Sequence, residues 1–165
     1  MSAITLQNML DEKVQFKSSV SINQRMDLFN MELNNIRLAN ITEIPLYLAL
    51  LLTKQHKGYI IIPEYMKEQY LQEKIVEESG IGFSKINDHF IEVTKVLLEL
   101  FNDSPAFYPD INLNQIDALR NNLLVLRYKK LISIMDDFKS GKDLTNITQF
   151  ELDTMDLGQA YEFNE

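Results

Sequence analysis

The chain has 165 residues, with 24 acidic against 16 basic side chains and a formal net charge of -8. One domain, or one with a small appendage, is the size expected from that length, and 45% hydrophobic with 24% charged residues is the composition of a folded globule. The absence of cysteine excludes disulfides, thiolate catalysis and cysteine-ligated zinc, and the acidic balance argues against a protein that holds nucleic acid by itself.

Residues 1–5 lack the basic start and apolar core of a signal peptide. Residues 3–13 are expected to form a short helix with Ile4, Leu6, Met9 and Leu10 as its apolar positions. Val14, Phe16, Ser18 and Val20 then alternate with Gln15, Lys17 and Ser19, a strand pattern of period two. A turn over 21–24 leads to two further strands, 26–33 and 36–41, with Asn34-Asn35 between them as a hairpin turn. Pro45 suits the first position of a helix over 46–57, for which Gly58 is the natural terminator. This region, 44–52, is the longest apolar run, far short of the ~20 residues that a membrane span needs. A soluble protein of a reducing compartment is expected.

Residues 59–62 read as a short extended piece, and Pro63 opens a mostly polar helix ending near Gly80. A helix over 84–102 carries the apolar arc Ile86, Phe90, Val93, Leu97, Leu100 and Phe101. The loop from 103 to 110 breaks the pattern before a long helix over 113–139, stopped by Gly141. Thr148-Gln149-Phe150-Glu151 is a capping box that starts a last helix. The expected fold is mainly α, a small β-rich domain over 1–43 followed by a helical domain over 44–165 with one long central helix.

That long helix has more apolar surface than one stripe. Ile116, Leu119, Leu123, Leu124, Leu126, Tyr128, Leu131, Ile134, Met135 and Phe138 cover roughly twice the ~100° arc of an ordinary surface helix, and Val125 and Ile132 widen it further. Either a partner subunit covers it, or it is the central helix of a monomeric bundle. Arg120 and Arg127 fall inside the apolar arc and need partners there, since an unpaired buried charge is very costly. The expectation is an ion pair across a subunit interface; the alternative is snorkelling to the edge of the core. The interface candidates are Arg120, Leu123, Leu124, Leu126, Arg127, Tyr128, Lys130, Leu131 and Met135.

No catalytic, cofactor or metal constellation is expected. His56 and His89 are the only histidines and neither sits in a metal-ligand spacing; His89 with Glu92 reads as a surface pair. The adjacent acids Glu77-Glu78 and Asp136-Asp137 read as solvated charges. Gly80-Ile81-Gly82 is too short to cradle phosphate and suits a loop between helices.

From Thr42 onward the chain resembles the GINS subunits, most closely those of the PSF-two type. Ile44-Pro45-Leu46-Tyr47-Leu48-Ala49 is similar to the family's V-P-L-W-L-A, and Pro63-Glu64-Tyr65-Met66 to its P-E-W-M. Glu92-Val93-Thr94-Lys95-Val96-Leu97-Leu98 resembles E-L-T-K-L-L-L. Arg127-Tyr128-Lys129-Lys130-Leu131 resembles R-x-x-K-L, and Thr145-Asn146-Ile147-Thr148-Gln149-Phe150-Glu151-Leu152-Asp153 the family's D-N-L-T-x-x-E-I-N. Five segments in the same order cover about two thirds of the chain. Both family tryptophans are tyrosines here, Tyr47 and Tyr65; the first 40 residues match poorly, and the chain stops soon after the capping box.

The resemblance implies a helical A-type domain preceded by a β-rich B-type domain. The motif positions Pro45, Leu46, Tyr47, Pro63, Glu64, Tyr65, Thr148 and Glu151 would then be structural. It also implies a non-enzymatic nuclear role in DNA replication, as one of four GINS subunits that join the MCM ring and a further cofactor in the CMG helicase. Neither autonomous nucleic-acid binding nor membrane association is expected. The alternatives are a PSF-three type subunit and a free-standing helical adaptor.

Overall fold

The period-two alternation becomes a strand whose even-numbered side chains point inward. In the computed structural model, which describes residues 3–21, 38–136 and 145–162, β1 (Lys13–Ser18) buries Val14, Phe16 and Ser18 and exposes Lys13 and Gln15. β1 is the middle strand of an antiparallel sheet ordered β2–β1–β3. β2 (Ile41–Pro45) sets Ile44 opposite Val14 and Thr42 opposite Phe16, and β3 (Gly58–Ile60) sets Ile60 opposite Phe16. The expected first helix is α1 (Ala3–Asp11). The strand expected over 26–33, the Asn34-Asn35 turn and the start of the strand at 36–41 lie outside the described residues.

Pro45 ends β2 and at the same time caps α2 (Leu46–Lys54), so the chain passes from strand to helix without a loop. The Leu46 N–H, left free at the helix start, donates to the Glu12 carbonyl at 2.8 Å. α2 ends earlier than expected, and Gly58 is not its terminator. His56 takes the left-handed conformation at φ 56°, its N–H donates to the Thr53 carbonyl, and the Lys57 N–H donates to that of Leu52. This is a Schellman ending with histidine where glycine is usual. Gly58 is needed for another reason. A Cβ there would lie 2.3 Å from the Lys17 carbonyl oxygen and 2.5 Å from Cζ of Phe16.

The chain divides into two compact units, Ser2–Pro63 and Glu64–Glu165, a division later than the boundary expected after residue 43. α2 belongs with the sheet, since it packs on all three strands and on α1. Its Leu46, Leu48, Ala49 and Leu52 are buried, each leucine stabilising by roughly 1.5–3 kcal/mol. A three-stranded sheet of this size needs such a cover to be stable.

The second unit starts with a 3-10 turn (Glu64–Met66) and α3 (Glu68–Glu78), as the helix expected after Pro63. α4 (Phe90–Asp103) begins later than the expected residue 84, because the backbone of the preceding loop is engaged elsewhere, as described below. Its buried residues Phe90, Val93, Leu97 and Phe101 repeat at helical spacing, and Phe101 meets Tyr108 at a ring distance of 4.5 Å. After a second 3-10 turn (Pro105–Phe107), α5 (Leu113–Asp136) is the long helix. It packs against α3, α4 and α6 (Gln149–Glu162) and is central to the unit. Phe138 and the stop at Gly141 lie outside the described residues. The fold is mainly helical with one small antiparallel sheet, as expected.

Candidate functional site

α5 turns two kinds of surface outward from its axis, and the first is charged and buried. Ile116, Arg120, Leu123, Arg127 and Leu131 form its inward stripe, all of them buried. Two arginines in a buried stripe demand partners, and the helical unit supplies them itself. Arg127 is 0% exposed. Its Nε donates to Oε1 of Glu151 at 2.7 Å and one Nη to Oε2 of the same carboxylate at 2.9 Å, a bidentate pair. That Nη also donates to the Asn146 carbonyl at 2.9 Å. The other Nη donates to the Ser84 carbonyl at 2.9 Å and to Oε2 of Glu78 at 3.1 Å. All five guanidinium protons are thus placed. The Phe83 ring lies under the cation, its centroid 5.2 Å away.

Glu78 is 1% exposed, not the solvated charge expected of it. Ser84 donates to its Oε2 through both N–H, at 3.0 Å, and Oγ–H, at 2.5 Å. Lys130 Nζ donates to its Oε1 at 2.9 Å and to the Gly82 carbonyl at 2.6 Å. These bonds hold residues 82–84 in a loop, so the helix expected from residue 84 does not begin there. At the other end, Thr148 N–H and Oγ–H donate to Oε2 of Glu151 at 2.9 and 3.1 Å, and the Glu151 N–H returns to Thr148 Oγ at 3.3 Å. The expected capping box is present, and its carboxylate is the same group that holds Arg127. Asn146 accepts φ 67° just before it, a conformation that Asn tolerates, and donates to the Phe83 carbonyl at 3.2 Å.

The cluster brings the basic side chains of Arg127 and Lys130 onto the carboxyl groups of Glu78 and Glu151. Burial pushes the Glu78 carboxyl up, but the bonds from Ser84 and Lys130 and the Arg127 charge outweigh it and leave the pKa below the ordinary value. Burial likewise opposes the Arg127 cation; Glu151 and then Glu78 outweigh it and raise its pKa. An acid/base catalyst needs the reverse, a pKa drawn toward neutrality. This arrangement can fasten α3, the 82–84 loop, α5 and the start of α6 together. A cluster of Phe83, Leu131 and Met155 with Ile134, Ile147 and Leu152 packs beside it.

The pairing of Arg127 is therefore within the chain, not across a subunit boundary, and the side chain is too deep to snorkel. Arg120 is also internal. Its Nε donates to Oγ of Thr94 at 2.6 Å and an Nη to the Ile91 carbonyl at 2.9 Å. Burial draws its pKa below the ordinary guanidinium value, opposed by Asp117. Leu123 and Leu131 are core residues, and Lys130 serves Glu78. Among the remaining candidates, Leu124 and Leu126 are half-buried, Tyr128 is 58% exposed, and Met135 lies in the last turn of α5.

The second surface of α5 is apolar and exposed: Val125 at 50%, Tyr128 at 58% and Ile132 at 41%. Beside it runs a groove of about 520 Å³. Its walls include Ile91 of α4, Leu124, Val125 and Tyr128 of α5, and Phe150 and Thr154 of α6. The exposed apolar strip of α5 thus includes Val125 and Ile132, which the candidate set omitted although both widen the apolar arc. Glu78 and Ser84 carried no sequence signal beyond being polar.

The other motif residues have structural places. Leu46 is fully buried, Tyr47 half-buried, and Pro63 follows the β3 segment. Glu64 pairs with Lys67 at the surface, and the Tyr65 ring meets Phe90 edge-on at 6.2 Å. Glu92 is buried rather than a surface partner of His89; among the described residues its two oxygens and Nδ1 of His89 have no hydrogen-bond partner. No group of three His, Asp or Glu side chains among the described residues could hold a metal ion. No helix among them is long and apolar enough to cross a membrane.

No protein-family model matches the chain. Over 144 residues, 86% of this chain, it is 28% identical to a Candida albicans protein described as DNA replication complex GINS protein PSF2. The match covers 64% of that relative, so the chain spans less than two thirds of its length. This similarity, across a mainly helical chain with a small antiparallel sheet, supports a GINS subunit of the PSF2 type.

Proposed function

We propose that the chain is a non-catalytic structural subunit of a four-subunit GINS complex, acting in the nucleus in the initiation and elongation of DNA replication. In this reading it joins three sister subunits directly, and meets the MCM ring and the further CMG cofactor through the assembled complex. The unit with the sheet takes the part of the family's B-type domain and the helical unit that of its A-type domain. The similarity to a replication GINS protein carries the proposal. The geometry supports it: Arg127, Thr148 and Glu151, which stand in two separate family-like segments, meet in one buried cluster that serves architecture. The exposed apolar side of α5 gives such a subunit a surface to share.

Co-expression with the three sister subunits tests this. An equimolar four-chain particle in size-exclusion chromatography with light scattering is the expected result, with poor solubility when the chain is expressed alone. A stable, monodisperse monomer that does not join the sister subunits would sink the proposal.

A further inference from the structure

α6 is fastened to its unit at one end. Among the other elements it packs chiefly on α5. Its polar ties gather at the first turn, where the Arg127 guanidinium holds the Glu151 carboxylate and the Asn146 carbonyl. The Asn146 amide adds a bond to the Phe83 carbonyl at 3.2 Å. Among the described residues, the other hydrogen bonds of residues 149–155 stay within the helix and its cap. The apolar tie is Leu152 and Met155 against Phe83 and Leu131. On the side that carries Phe150 and Thr154 the packing is open. There the groove of about 520 Å³ separates α6 from Ile91 of α4 and from Leu124 and Tyr128 of α5. Leu131 belongs to both places, the groove wall and the buried cluster.

The two carboxylates on Arg127 are not equivalent. Glu78 is also held by Ser84 and Lys130, so α3 keeps its tie if Arg127 lets go. Glu151 has only its own Thr148 cap besides Arg127, so α6 does not. We propose that α6 is a latch, opening as a unit while α3, α4 and α5 stay folded, with Arg127–Glu151 as its clasp. Opening uncovers Phe83, Leu131 and Met155 and, through Leu131, joins them to the groove in one apolar surface that the closed chain hides. Sub-global opening of this kind lies between fraying and complete unfolding in free energy, and a surface present only in the minor state is a cryptic one. The proposal stands apart from the GINS reading and does not need it.

Hydrogen exchange of the full chain, read by mass spectrometry on its peptides, tests the latch. The informative amides are those of residues 152–155, next to the clasp, because fraying from the far end of α6 leaves them protected. In the wild-type protein they should exchange at least about ten-fold faster than those around Leu123 in α5. Glu151→Gln should speed them by roughly ten- to hundred-fold more, the worth of a hydrogen bond to a charged group, and leave α3 and α5 within about two-fold. Equal exchange at 152–155 and around Leu123 in the wild-type protein overturns the proposal, and that comparison needs no variant to fold. A Glu151→Gln protein in which all the helices speed up together, or whose far-UV circular dichroism shows the helical fold lost, overturns it as well, since a latch releases without unfolding its frame.

Discussion

Arg127→Met removes a cation that Glu151, Glu78 and two carbonyls surround, and it keeps most of the apolar stem. Glu78 would retain Lys130 and Ser84, whereas Glu151 would be left with only the Thr148 cap. Breaking one side of a buried ion pair costs about 3–5 kcal/mol, because the surviving charge stays out of water without its partner. A unit of this size is stable by about 5–15 kcal/mol in all, and loses roughly 4–8 °C of Tm per kcal/mol. The expected fall in Tm is therefore roughly 12–40 °C. The chain has no tryptophan, so far-UV circular dichroism is the probe. Adding Glu151→Gln to the Arg127→Met variant should restore part of the loss, since much of the cost is the orphaned carboxylate. The exposed Lys67–Glu64 pair is the control; Lys67→Ala should cost about 0–1 kcal/mol. An Arg127→Met protein melting within about 4 °C of wild type would refute the reasoning. So would a double variant less stable than the single one. At 0% exposure, Arg127 should act on the fold itself rather than on an interface.

Two further outcomes follow from the geometry. The Glu78 pKa is lower in the fold than its ordinary value of 4.5, so the unfolded chain takes up the proton first as pH falls. Its contribution is complete above that value and is lost as pH drops through 4.5 toward the lower folded pKa. Glu78→Gln should be less stable at pH 7 yet lose less on acidification, measured by urea midpoints across pH; an unchanged slope would refute the assignment. Gly58→Ala places a methyl 2.3 Å from a backbone oxygen and 2.5 Å from the buried Phe16 ring. It should destabilise the sheet unit by about 1–3 kcal/mol in the same melts. A variant as stable as wild type would mean that β3 stands farther from β1 than described.

Sequence patterns located what depends on neighbours along the chain. The alternation of Val14, Phe16 and Ser18 became β1, and Thr148 with Glu151 became a cap, because both rest on contacts a few residues apart. What failed depended on distance in sequence. Gly58 was read as a helix terminator, a local role, when the constraint is Phe16 on another strand. Residues 84–89 have helical periodicity, yet Ser84 spends its N–H on Glu78 and its carbonyl on Arg127, 43 residues away. Glu78 looked solvated beside Glu77 because adjacent acids differ only in which way the helix turns them.

The same limit explains how the wheel of α5 was both right and misassigned. It correctly gave the helix too much apolar surface for one neighbour, but it could not say which part the chain itself would cover. Placing arginines on the partner side assumed that a buried charge calls for a second subunit. The fold instead brings Glu78 and Glu151 from opposite ends of its helical unit to Arg127. With those charges paired within the chain, the charged residues left exposed on α5 among the described residues are Asp117 and Lys129. The exposed strip of Val125, Tyr128 and Ile132, with Asp117 and Lys129 beside it, would cost less to desolvate than the arginine-bearing inward stripe.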